Sequence, residues 1–316
     1  PPARARRAIL FAAKAAVSGL AMALAFSQVD WQEVGRILSG VDLAFAAACL
    51  SARVLLMGLN AWKLVFLLKP STIAPGLVFR LNFMKALFNN LLPGGVGGEG
   101  VRMLLLGKET GSLGRASAAV IADRLTGLWM QVIFTSVSVP FLPVLGGPWT
   151  RFLAAAATGM LGLSAGLLAL GPGPRLVGAA LRRFPGRGAD LLAAEAGNFR
   201  AFFHGLPAGP GRIAGLVAYC LASQVLLMVV LYLGARALGG SLIPAQIAPI
   251  LLATALASLV PFTLGGLGVA EGASALAFSL AGSTAELGLL TALLMRALGM
   301  VPALIGAVLF LLTGLL

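Results

Sequence analysis

The chain has 316 residues, 59% hydrophobic and only 10% charged, with 23 Lys and Arg against 10 Asp and Glu for a net charge of +13. A soluble domain carries about 25% charged residues, so a mean hydropathy of +0.99 excludes a soluble fold of this length and leaves room for about six to eight spans of roughly 20 residues. The basic residues stand between apolar runs without interleaved aromatics, which excludes nucleic acid as a partner and favours anionic inner-leaflet lipid headgroups.

In chain order, the sequence opens on Pro1 rather than Met, as a trimmed or processed N-terminus would. The first apolar run, about Ala8 to Val29, is longer than a signal-peptide core and ends without a convincing cleavage pattern, so it reads as a retained span. Further spans are expected near Val41 to Leu68, Ala116 to Leu145, Phe152 to Leu170, Ile213 to Leu238 and Ala285 to Leu316. Between the second and third lies Gly76 to Gly107, broken by Arg80, Asn82, Lys85, Asn89, Asn90 and Pro93, which reads as helix, turn and helix. Between the fifth and sixth, Pro244 to Gly282 repeats that plan around Pro261.

Each half-segment of these two interruptions holds about 14 to 18 residues, or roughly 21 to 27 Å of helix, which favours re-entrant hairpins over full spans. The expected fold is an all-α polytopic membrane protein of six full spans plus two re-entrant hairpins, with eight nominal spans as the alternative. It forms one transmembrane domain over 1–316, with approximate halves 1–145 and 146–316 and an interfacial connection at 171–211.

Both interruptions carry a glycine-rich acidic motif, Pro93-Gly94-Gly95-Val96-Gly97-Gly98-Glu99-Gly100 and Leu264-Gly265-Gly266-Leu267-Gly268-Val269-Ala270-Glu271-Gly272. Each acid precedes an arginine by 25 residues, Glu99 to Arg124 and Glu271 to Arg296. The matched spacing indicates an internal duplication, and paired apolar segments interrupted by Gly and Pro in two halves point to a transport site. Non-helical backbone at membrane depth is tolerated only where protein or a wet cavity satisfies it, so the glycine turns are expected to face an interior cavity.

Arg4, Arg6 and Arg7 precede the first span, while the next connection holds Asp30, Glu33, Arg36 and Asp42, which places the N-terminus in the cytoplasm. Six spans then put Lys63, Lys69, Arg80, Lys85, Arg102, Lys108 and Arg115 on the cytoplasmic side, with Arg175, Arg182, Arg183, Arg187, Arg200 and Arg212. Arg36, Arg151 and Arg236 remain outside, the C-terminus is cytoplasmic, and the two hairpins enter from opposite faces as an inverted repeat. In the polar connection, Leu192, Phe199, Phe203 and Leu206 recur at helical spacing opposite Asp190, Asn198 and Arg200; an interfacial helix fits this pattern, and a solvated loop with one amphipathic turn is the alternative. The single histidine, His204, reads as structural beside its aromatic neighbours, and Cys49 and Cys220, both in apolar runs, support neither a disulfide framework nor a metal site.

The chemistry lies in the ionisable residues at membrane depth: Glu99, Arg102, Asp123, Arg124, Glu271 and Arg296. One charge at the bilayer centre costs at least about 2.5 to 3.5 kcal/mol, so such residues pair or line a pathway. Three acids and three arginines can balance as purely structural ion pairs, but that alone does not require glycine breaks beside the acids. If each glycine cluster (Gly94, Gly95, Gly97 and Gly98; Gly265, Gly266 and Gly268) precedes a half-helix, free N–H groups at its positive end could hold a phosphate. Arg124 and Arg296 would add charge-assisted contacts. Three roles stay open for Glu99 and Glu271: balancing the arginines, receiving a cationic headgroup, or carrying a coupling proton.

Three stretches carry a resemblance: Asn89-Asn90-Leu91-Leu92-Pro93-Gly94-Gly95-Val96-Gly97-Gly98-Glu99 with Arg102, Asp123-Arg124-Leu125-Thr126-Gly127-Leu128, and Gly265-Gly266-Leu267-Gly268-Val269-Ala270-Glu271-Gly272. Over essentially its whole length the chain resembles the flippase-like membrane proteins related to the transmembrane region of lysylphosphatidylglycerol synthase. Members of that family often have Arg-Glu where this chain has Ala270-Glu271. The resemblance implies movement of a lipid or lipid-linked headgroup between leaflets; the soluble aminoacyl-transfer domain of fused members has no counterpart in these 316 residues.

The expected function is a flippase or scramblase-like transporter of a phospholipid, aminoacylated or not, in a bacterial inner membrane. It needs no cofactor or metal, and the sequence holds no nucleophile–base pair to make it an enzyme. The alternatives are a proton-coupled transporter of a small anion or amphiphile and a non-transporting partner of a lipid-synthesis enzyme. A second copy of the chain is the other protein partner left open, because glycines at 159–166 and around Gly306 permit close helix packing within or between chains.

Overall fold

The computed structural model describes residues 30–69, 73–91, 97–138, 141, 151, 155–156, 158–159, 162, 194–195, 197–199, 201–202, 209–258 and 267–313. Among these, secondary structure is helical throughout. The expected spans at 8–29 and 152–170 lie wholly or almost wholly outside the described residues, as do Leu192, Phe203, His204 and Leu206.

The first helix, α1 (Trp31–Ser39), falls where the sequence suggested a plain connection. Asp30 caps it, its carboxylate accepting from the Gln32 N–H at 2.9 Å, and Val34 and Ile37 turn one face into the core. Asp42 caps α2 (Leu43–Leu68) in the same way, accepting from Ala44 and Phe45. Next come two shorter helices, α3 (Pro75–Leu91) and α4 (Gly97–Thr110), and the long α5 (Leu113–Ser138). Pro210, which needs no N–H partner at a first turn, starts α6 (Pro210–Ala237), and Gly239 at φ +77° turns the chain out of it. The last three are α7 (Pro244–Ser258), α8 (Val269–Leu280) and α9 (Ala285–Thr313).

The order long, short, short, long thus occurs twice, as α2 to α5 and α6 to α9. Each set closes on its own apolar core. In the first, Leu64, Leu68, Val78, Leu81, Met84, Leu106 and Val120 are buried together. In the second, Leu231, Ile247, Ile250, Phe278 and Leu290 are. The sets join at corresponding places: α2 packs on α6, α9 packs on α3, and α5 packs on α7. Gly306 is required at the α9–α3 contact, because a Cβ there would run into the Phe83 backbone; this small-residue packing is within the chain.

Three helices, Leu43–Leu68, Pro210–Ala237 and Ala285–Leu312, are long and apolar enough to cross a membrane. Their outer faces stay uncovered, with Leu43, Leu311 and Leu312 each about four-fifths exposed (78%, 81% and 78%), as lipid-facing side chains are. Helix α5 has the length, 26 residues, but is not apolar enough to belong to that group. In the connection, residues 194–195, 197–199 and 201–202 are helical, with Phe199 and Phe202 packed on the first core. There Glu195 accepts from the Gly114 N–H at 2.6 Å and from Ser112 Oγ at 2.8 Å, anchoring this segment to the start of α5. The Gly114 N–H, with the Ser112 hydroxyl, holds the Glu195 carboxyl below its ordinary pKa.

Candidate functional site

The two 25-residue intervals close into two matched ion pairs. Arg124 on α5 donates from Nε to Glu99 on α4 at 2.5 Å, and Arg296 on α9 donates from Nε to Glu271 on α8 at 2.7 Å. In both cases an acid in the first turn of a short helix meets an arginine midway along the long helix that follows.

Around this common frame the halves differ. Glu99 also meets Lys85 Nζ at 2.7 Å and Arg102 Nη1 at 3.5 Å. Arg102 bridges onward to Asp123 at 3.4 Å, and Asp123 meets Lys63 Nζ at 2.8 Å. Lys63, Glu99, Arg102 and Asp123 are all buried. Position 295, which precedes Arg296 as Asp123 precedes Arg124, is Met; its carbonyl accepts from Arg53 Nη1 at 3.1 Å. Among the described residues, only Arg296 and the Gly268 N–H, at 2.8 Å, are found on Glu271.

Of the six ionisable residues singled out in the sequence, Arg102, Asp123, Arg124, Glu271 and Arg296 line one cavity, and Glu99 pairs with Arg102 and Arg124 beside it. Arg53, Lys63 and Lys85 join them without having been singled out. The expectation that Lys63, Lys85 and Arg102 are loop charges meets their pairing with Asp123 and Glu99, which leaves Lys69, Arg80, Lys108 and Arg115 for the charge asymmetry expected in the first half. A signal was present: Arg53, Asn60 and Lys63 recur at helical spacing in an apolar run, as do Asn82, Lys85 and Asn89.

The additional cations alter the balance. Among the described residues, six cations (Arg53, Lys63, Lys85, Arg102, Arg124, Arg296) face three carboxylates (Glu99, Asp123, Glu271), so mutual neutralisation of these groups does not account for the cluster. Arg102, only 1% exposed in its side chain, has Nε and Nη2 without a hydrogen-bond partner among the described residues, an arrangement that protein interiors avoid unless something else answers it.

The glycines behave differently from expectation. Gly94, Gly95, Gly265 and Gly266 lie outside the described residues. Gly97 and Gly98 begin α4, but the Gly98 N–H donates to Asn89 Oδ1 at 2.8 Å. A Cβ at 98 would overlap the Lys85 carbonyl, so this glycine serves the close approach of α3 and α4. Gly268, at φ +82°, gives its N–H to Glu271. Protein acceptors therefore already engage two of the amides expected to be free for an anion. The described glycines of the motifs do not line the cavity, whereas the charged side chains do.

That cavity has a volume of about 530 Å³, within the range of small-molecule sites. Helices of both sets form it: Arg53, Asn60, Lys85, Asn89, Arg102, Asp123 and Arg124 on one side, Glu271, Met295, Arg296 and Gly299 on the other. Arg124 is the paired cation most open to it, with 41% of its side chain exposed. A branch of about 180 Å³ shares Asn60, Lys85, Asp123 and Arg124 and continues past Lys63 to Gln131, Ser223 and Gln224. Among the described residues, no group of His, Cys, Asp and Glu is arranged to hold a metal ion.

No curated protein matches the chain closely enough to carry an argument. Residues 11–306, nearly all of the sequence, match the family described as the lysylphosphatidylglycerol synthase TM region, a membrane family linked to lipid metabolism or transport, and the chain belongs to that family as a multi-pass membrane protein.

Proposed function

We propose that the chain is a flippase or scramblase that passes the headgroup of an anionic lipid between leaflets through the cavity between its two four-helix sets. The observation that carries this reading is the excess of cations over carboxylates in a cavity bounded by apolar helices. A phosphate entering it meets Arg124 and Arg296, one from each set, while the acyl chains stay against the exposed apolar faces. The short helices are re-entrant, the sets form an inverted repeat, and the membrane is a bacterial inner membrane with cytoplasmic termini. The matched Glu99–Arg124 and Glu271–Arg296 pairs and the corresponding packing of α3 on α9 and α7 on α5 support the repeat. The chain itself carries out no covalent chemistry in this reading.

The test is movement of chain-labelled phospholipids in proteoliposomes, read by bleaching of outer-leaflet label, with Arg124→Gln and Arg296→Gln beside the wild type. Both variants should lose headgroup movement while eluting as folded protein. Wild-type rates in both would refute the site, and saturable uptake of a soluble anion without lipid movement would favour the small-anion transporter.

A further inference from the structure

The cavity carries more information than the sign of its ligand. Each acid near it is already engaged by protein: Glu99 by Lys85, Arg102 and Arg124, Asp123 by Lys63 and Arg102, and Glu271 by Arg296 and the Gly268 N–H. Among the described residues, a headgroup bearing its own ammonium would find surplus cations and no unpaired carboxylate at the cavity, a like-charge arrangement that works against the wrong partner.

The branch has a different character. Beyond the charges its polar lining is Gln131 and Gln224, 8% and 3% exposed, and Ser223, set among Leu128, Cys220, Leu227 and Ala255. Among the described residues, Gln131 Oε1, Gln224 Nε2 and Ser223 Oγ find no hydrogen-bond partner. Together they offer an acceptor, a donor and a hydroxyl, the set that matches neutral hydroxyl groups. Buried polar atoms left unpaired are costly, and a site built of them discriminates strongly for ligands that pair them. At about 180 Å³ the branch has the room of roughly six waters at about 30 Å³ each, enough for a small polyol. Gly127 adds to the space, since nothing lies within 4 Å of a Cβ built there.

Resting on the lipid-transport reading, we infer that the headgroup is a phosphodiester with an uncharged, hydroxyl-bearing end and not an aminoacylated one: the phosphate lies among the cations of the main cavity, and the hydroxyls pair with Gln131, Ser223 and Gln224 in the branch. Glycerol and sugar or cyclitol ends share this chemistry.

The test uses the full chain in phosphatidylcholine vesicles with trace chain-labelled phosphatidylglycerol, phosphatidylinositol, phosphatidic acid and lysylphosphatidylglycerol. The glycerol or inositol headgroup should move at least about tenfold faster than the lysyl form, the factor that one unmade hydrogen bond or unpaired charge in a buried site is worth. In Gln131→Leu/Gln224→Leu, and independently in Gly127→Leu, which fills the branch, the rate ratio of the faster hydroxyl-bearing lipid to phosphatidic acid should fall by a similar factor. Lysyl headgroups moving as fast as hydroxyl-bearing ones, or ratios unchanged in both variants, would overturn this specificity and leave lipid transport standing. If folded wild-type protein moves none of the four lipids, the transport reading fails and takes the specificity with it.

Discussion

Neutralising Glu99 should be far more damaging than neutralising Glu271, although the two acids occupy equivalent places. Glu99→Gln removes the carboxylate that faces Lys85 at 2.7 Å, Arg124 at 2.5 Å and Arg102 at 3.5 Å. Breaking a buried pair by removing one partner costs about 3 to 5 kcal/mol, because the charge left behind is uncompensated. Glu271→Gln withdraws a carboxylate from one cationic side chain, Arg296, where Glu99 serves three, and the new side-chain carbonyl can still accept from Gly268. Its loss is that of one hydrogen bond to a charged group, about 1.5 to 3 kcal/mol. At about 2 °C per kcal/mol for a chain of this size, the unfolding midpoint should fall by about 6 to 10 °C for Glu99→Gln and about 3 to 6 °C for Glu271→Gln. The assay is thermal unfolding of purified protein in nanodiscs, followed by tryptophan fluorescence. A Lys85→Met/Glu99→Gln double variant should recover at least about 1 kcal/mol of the Glu99→Gln loss by withdrawing one stranded charge. Equal shifts for the two single variants, or strict additivity in the double, would refute the asymmetric charge network.

Gly98→Ala should destabilise by about 1 to 3 kcal/mol by pushing α4 off the Lys85 carbonyl, whereas Gly100→Ala, with open space at its Cβ, should be neutral or stabilise by about 0.5 to 1 kcal/mol; reversed signs in the same unfolding assay would show that α3 and α4 do not approach as described. Gly306→Val should lift α9 from the Phe83 backbone and lower headgroup transport together with stability, while a variant that unfolds at the wild-type temperature would refute that contact. Glu195 anchors the connection to α5 with a folded-state pKa below its unfolded one, so its contribution is fully present above the unfolded value, about 4.3, and is lost as pH falls through the lower folded value. Limited proteolysis near Gly114 at neutral pH should therefore be faster in Glu195→Ala than in the wild type; indistinguishable cleavage there would remove Glu195 as the anchor.

The extent to which this structure was legible in the sequence follows from what each signal depends on. Long apolar runs located α2, α6 and α9 because span length is set by the bilayer. The two short pairs were visible through Pro and Gly, and the repeated interval identified both Glu–Arg pairs, since an acid and an arginine fixed on consecutive helices keep their separation in sequence. Lys63 and Lys85 escaped because loop-charge counting assigns every lysine near the end of an apolar run to the surface, where its long stem can snorkel. Only the third dimension shows Asp123 and Glu99 holding them inside. Helix α1 was hidden by its length of nine residues, too short for a periodic pattern to stand out, although Asp30 before Trp31 was a readable cap. The expectation of free amides at the glycine turns failed on competition: Asn89 and Glu271 reach those amides from within the protein.

Glu99 has two oxygens and three cationic neighbours, so it is oversubscribed. An incoming anion that draws Arg124 toward itself leaves the carboxylate with Lys85 and Arg102, and no isolated buried charge is created in the exchange. The second half shows no such reserve, because among the described residues Arg296 is the only side chain found on Glu271. In the proposed lipid transport, handover of a charged headgroup would therefore run over a low barrier at Arg124 and a higher one at Arg296, a fast threshold on one side and a slow one on the other.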